Sequence, residues 1–105
     1  MVHNKLIGQA VQHALCSLRA EKGLSQEALS QRSDVSRQFI SYLERQERSL
    51  SLESMIKLSH GLDISLAEFA GRIEQMLIHY QEKRPIQENM AADPLQPKWP
   101  QKKIN

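Results

Sequence analysis

The sequence predicts an all-α fold of five helices followed by a Pro-rich C-terminal tail, and three observations carry that prediction. One local device occurs four times: an apolar residue, a serine, three further residues, and a second apolar residue. The instances run from Leu24-Ser25 to Leu29, Val35-Ser36 to Ile40, Leu50-Ser51 to Met55, and Ile64-Ser65 to Phe69. A stripe of apolar residues at helical spacing precedes them, and no stretch alternates in the manner of a half-buried strand.

Each instance marks a helix start. A serine at the N-cap accepts a hydrogen bond from an orphan N–H of the first turn, while the apolar residue before it staples onto the one a turn inside. The first helix is predicted over 4–22, because Ile7, Ala10, Val11, Ala14, Leu15 and Leu18 fall on one face. It ends before Gly23, a residue suited to the left-handed conformation that closes a helix. Ser25 opens a second helix over 26–33. Only Asp34, Val35 and Ser36 separate it from a third over 37–46, a connection as short as a helix-turn-helix requires.

Ser51 opens the fourth helix over 52–60, with Gly61 as its stop. Ser65 opens the fifth over 66–83, with Glu68 placed to complete a capping box. Leu66, Phe69, Ala70, Ile73, Met76, Leu77 and Tyr80 keep an apolar stripe along this extended helix. Its first half caps the bundle. Its second half needs another surface, either the start of the first helix or the same helix in a second subunit. Pro85, Pro94, Pro97 and Pro100 then punctuate a polar stretch without a core of its own, so residues 1–83 form the domain and 84–105 a flexible tail. Trp99, in that tail, docks back on the domain, stays exposed or meets a partner.

Composition narrows the function. The 105 residues are 40% hydrophobic but only 5% aromatic, so the core is built from aliphatic side chains. The formal charge is +2, and the segment 1–83 is neutral, with ten basic and ten acidic residues. Any affinity for nucleic acid must therefore come from a local pattern, and its salt dependence should be shallow. Cys16 is the single cysteine, which excludes an internal disulfide and reads as a small buried or half-buried hydrophobe. His3, His13, His60 and His79 are dispersed, with no metal-ligand spacing, and carboxylates stand singly. No metal, cofactor or enzymatic activity is expected. The chain has no apolar run of about 18 residues and no signal-peptide core, so a cytoplasmic location without a membrane span is expected.

The third helix holds the pattern that the composition demands. Turned at about 100° per residue, it buries Ile40 and Leu43, with Ser36 and Glu44 flanking them. Gln38, Tyr42 and Arg45 lie opposite, with Arg37, Phe39, Ser41 and Gln46 beside them. Ordinary solvated faces more often hold Lys and Glu. Arg pairs with guanine O6 and N7, and Gln with adenine N6 and N7, in the major groove.

From Leu15 to Phe69 the chain resembles the Cro/repressor-type, or Xre-like, helix-turn-helix family. The resemblance rests on Ser25-Gln26-Glu27-Ala28-Leu29, on Val35-Ser36 followed by Ile40-Ser41 and Glu44-Arg45, and on Ser51-Leu52-Glu53 with Leu58, Leu62 and Ile64-Ser65. It implies a five-helix lambda-repressor-like domain that lays its third helix in the major groove of double-stranded DNA. Ser36, Arg37, Gln38, Ser41 and Tyr42 match its base-reading positions. Gln26, Arg45 and Arg48 match positions that grip the DNA backbone, and Arg19 and Glu44 match a structural pair joining the first helix to the third. Phe39 either touches a thymine methyl or packs against the second helix.

Departures from the family pattern fall around the third helix. Asp34 stands where the turn commonly has Gly, and Asp tolerates the left-handed conformation. Gln46 replaces a usual Gly and Leu50 a common Pro, which predicts a more helical loop over 46–50 that moves Arg48. Glu47 opposes the approach of DNA. The implied function is a transcriptional regulator, a repressor that binds an inverted repeat as a homodimer through Ile73, Met76, Leu77 and Tyr80. It is similar to small phage-type repressors and restriction–modification controller proteins. The alternative is an antitoxin or protein-interaction module that uses the tail to bind a partner protein.

Overall fold

The computed structural model describes residues 4–82. The domain boundary at residue 83, the Pro-rich tail and Trp99 lie outside the described residues. Five helices follow one another: α1 (Asn4–Lys22), α2 (Gln26–Ser33), α3 (Arg37–Glu44), α4 (Leu52–Leu62) and α5 (Leu66–Glu82). None of them is long and apolar enough to cross a membrane.

All four serine devices are formed. Ser25, Ser36 and Ser51 each accept from the N–H three residues on at 3.0 Å, and Ser65 accepts from Glu68 at 2.9 Å. Only the forward half of the box between Ser65 and Glu68 is made. Both members of every staple reach the core: Leu24 with Leu29, Val35 with Ile40, Leu50 with Met55, and Ile64 with Phe69. The same residues thus start each helix and pack it. Ala14, Leu15 and Leu18 of α1 and Leu58 and Leu62 of α4 fill the centre around them, with Leu43 from α3.

Helix ends follow a second shared pattern. Gly23, Gln46 and Asp63 take left-handed conformations with φ of 68°, 63° and 60°. In each case the next N–H reaches back five residues, from Leu24 to Arg19 O, Glu47 to Tyr42 O, and Ile64 to Ser59 O. This is the Schellman closure of a helix. Asp34, with φ of 64°, makes the turn between α2 and α3 that glycine commonly makes.

Two predicted ends are corrected. The third helix stops at Glu44 rather than 46, because Gln46 turns left-handed; the loop after it is a tight turn and not an extension of the helix. The fourth helix runs through Gly61 to Leu62, and Asp63 closes it. Gly61 is buried within α4 because α2 crosses it closely. A Cβ there would lie 2.7 Å from the Cβ of Ser33 and 3.0 Å from both the Ser33 Cα and the Leu29 Cδ1. The Gly61 carbonyl also accepts from Arg32 Nε at 2.8 Å, which ties α2 to the end of α4.

The long α5 packs against α1. Arg72 donates through both terminal nitrogens to the Glu21 carboxylate at 2.9 and 3.0 Å. Ile73 packs against the core, and with Leu77 it lines an apolar groove shared with Ile7 and Val11 of α1.

Candidate nucleic-acid interface

The connection Asp34–Ser36 sets α3 across α2 and leaves one face of α3 outward. Ile40, Leu43 and Glu44 are buried, while Arg37, Gln38 and Arg45 are exposed and Ser41 and Tyr42 half-buried. The predicted base readers therefore share one surface, and Arg45 and Arg48 border it. Ser36 lies at its edge, its hydroxyl engaged as the N-cap of α3. Phe39 is half-buried and packs against the core.

The angle of this surface is held from beneath. Arg19 on α1 donates through Nε to Glu44 Oε2 at 2.7 Å and through a terminal nitrogen to Oε1 at 2.9 Å. Its other terminal nitrogen donates to the Leu24 carbonyl at 2.9 Å. Gln26 Nε2 completes the cluster by donating to Glu44 Oε1 at 2.8 Å. One carboxylate thereby joins α1, the start of α2 and α3. The family resemblance implies only a DNA-backbone contact for Gln26; its bond to Glu44 is a structural role that periodicity does not reveal.

Burial pushes the Glu44 carboxyl up, but the bonds from Arg19 and Gln26, with the Arg19 charge, outweigh it and hold the group below the ordinary carboxylate range. Arg19 is held further in its charged form by the same bonds. The half-buried Cys16 lies beside the pair, and burial followed by the Glu44 charge pushes its thiol up. That environment favours the thiol over the reactive thiolate.

Above this support the polar groups are already organised. Gln38 Nε2 donates to the Tyr42 hydroxyl at 2.8 Å. The Tyr42 ring carries the Arg48 guanidinium 4.6 Å and the Arg45 guanidinium 5.4 Å from its centre. Arg45 also donates to the Ser41 hydroxyl and to both Glu47 carboxylate oxygens. That contact, with Arg45 first in effect, holds Glu47 ionised below the usual range. Arg37 lies 3.8 Å from the Glu27 carboxylate. Acidic neighbours thus partly offset the cations of this face, in keeping with the neutral balance of the domain.

Comparison with known proteins points the same way. A family model described as helix-turn-helix matches residues 17–69. The control protein C.MunI of a Mycoplasma species is 40% identical over 62 residues, spanning 58% of this chain and 84% of its own. The restriction–modification controller protein C.Esp1396I, solved as a tetramer in complex with its natural 35 base-pair operator, superposes with a TM-score of 0.64 at 29% identity, covering 69% of this chain and 95% of its own. The clp gene regulator ClgR from Corynebacterium glutamicum gives 0.66 at 29% identity, covering 82% and 87%.

Proposed function

This chain belongs to the helix-turn-helix family, and from that membership we propose that it is a sequence-specific DNA-binding transcriptional regulator acting as a homodimer on an inverted repeat. The observation that carries the proposal is the outward face of α3. Arg37, Gln38, Ser41 and Tyr42 form one hydrogen-bonding surface there, with Ser36 at its edge. Arg37 suits guanine and Gln38 suits adenine. Gln26, Arg45 and Arg48 are the backbone contacts, at the rim of the same surface. The DNA-binding unit is residues 1–83, with 84–105 as a separate tail.

The dimer contact belongs on the second half of α5, where Met76, Leu77 and Tyr80 are half-buried and Ile78 is exposed. Ile73 contributes less, since it already packs on the chain's own core. Two-fold symmetry then sets the half-sites about one helical turn apart, or a multiple of it.

The test is selection of bound duplexes from a random pool with the full-length protein at moderate salt. An enriched inverted repeat is expected; a pool without enrichment would refute the proposal. On the selected site, Gln38→Ala should weaken binding by about 1–3 kcal/mol while changing affinity for random DNA little. Equal weakening on both would remove Gln38 from the base readers.

Glu47 gives a prediction of opposite sign. Its carboxylate faces the same side as the backbone contacts and occupies Arg45. Glu47→Gln should tighten operator binding by roughly three- to tenfold at low salt. The released Arg45 should steepen the log–log salt slope by about 0.9, read from titrations at several salt concentrations.

A further inference from the structure

We infer that Tyr42 is a positioning residue that makes Gln38 select adenine over guanine, an inference that rests on the base-reading role of Gln38 proposed above. The two residues are four apart on α3, and the Gln38 Nε2 donates to the Tyr42 hydroxyl at 2.8 Å. The phenol is itself held in place. Arg48 lies 4.6 Å and Arg45 5.4 Å from its ring centre, and Arg45 is anchored on Ser41 and Glu47. The hydroxyl is therefore held in position, and as an acceptor from Nε2 it sets the amide bound to it in one orientation.

That orientation has chemical content. A glutamine amide offers two N–H donors on one side and a carbonyl acceptor on the other. With one N–H engaged by Tyr42, one donor and one acceptor remain. Adenine presents N7 as acceptor and the N6 amino group as donor in the major groove, the complement of that remainder. Guanine presents two acceptors, N7 and O6, and would set the Gln38 carbonyl against O6. A glutamine free to turn has no such bias, because its amide can direct both N–H groups at guanine. The Tyr42 hydroxyl thus converts an ambivalent reader into one that distinguishes the two purines.

The experiment compares duplex selection by the wild-type protein with Tyr42→Phe, Gln38→Ala and the double variant. Tyr42→Phe keeps the ring and both guanidinium contacts and removes only the hydroxyl. In the wild type, the base pair lost on Gln38→Ala should be adenine. Tyr42→Phe should retain the rest of the operator and lower the adenine-over-guanine preference at that one pair by about tenfold. The double variant should match Gln38→Ala alone.

Three results would overturn the inference while leaving Gln38 as a reader. They are guanine at that pair in the wild type, an unchanged preference in Tyr42→Phe, or a preference lost at a different pair, which would make Tyr42 a direct reader. If Gln38→Ala alters no pair, the role of Gln38 falls and the inference falls with it.

Discussion

Arg19→Ala is expected to destabilise the domain by about 3–5 kcal/mol, because it leaves the buried Glu44 carboxylate without its cation. A small domain holds only about 5–15 kcal/mol in total, so much of its stability goes. Thermal melting should show a fall on the order of 20 °C. Arg19→Lys should recover only part of it, since an ammonium cannot reproduce the two parallel bonds to Glu44. A joint replacement, Arg19→Met with Glu44→Leu, should cost far less than either single loss, because no buried charge is stranded. If Arg19→Ala melts like the wild type, the pair does not hold α3 in place.

The same pair sets an acid dependence. The Glu44 carboxyl titrates below its ordinary range in the folded chain, so the folded state binds its proton less readily than the unfolded state does. Its stabilising contribution is fully present above the ordinary carboxylate pKa. That contribution is lost as pH falls toward and through the lowered folded value. Glu44→Gln removes this component, and its melting temperature should vary less across the acid range than that of the wild type.

Gly61→Ala should destabilise by about 1–2 kcal/mol in denaturant unfolding, against the usual sign of that substitution inside a helix. Alanine is favoured over glycine there by about 0.8–1 kcal/mol. The added methyl, however, would meet Ser33 at 2.7 Å, well inside the roughly 3.5–4.0 Å of a comfortable carbon–carbon contact. One of the atoms it meets is the Ser33 Cα, so α2 must move as a body, and overpacking of this kind typically costs 1–3 kcal/mol or more. Gly71 in α5 supplies the contrast. Nothing lies within 4 Å of a Cβ built there, so Gly71→Ala should stabilise by up to about 1 kcal/mol. Two glycines in helices of one protein should then respond with opposite signs.

That contrast also explains where sequence reasoning ran out. The four serine starts are legible because cap and staple lie within six consecutive residues, and both apolar members of each staple reach the core. Gly61 read as a stop because glycine serves both left-handed turns and close helix approach, and only the position of α2 decides which. The end of α3 was misplaced for a related reason. Gln46 has no glycine's freedom, yet it turns left-handed, with its amide donating to Gln12 of α1 at 2.7 Å.

The outward face of α3 is legible from periodicity, whereas its proposed base-reading role and the Arg19–Glu44 pair come through the family resemblance. Periodicity places Gln38 and Tyr42 on one face without saying that one fixes the other. The second partner of Glu44, Gln26, is 18 positions away, and no local signal connects them.

The two faces of α3 share no residue. Ile40, Leu43 and Glu44 face the domain, while Arg37 and Gln38 are exposed and no core contact depends on either. Exposed substitutions away from special features usually change stability by less than about 0.5 kcal/mol. Mutational drift on the outward face can therefore explore new target sequences in a chain that stays folded throughout. Retargeting and folding become separable traits within a helix of eight residues. A lineage of such regulators could diverge in what it recognises while conserving how it folds.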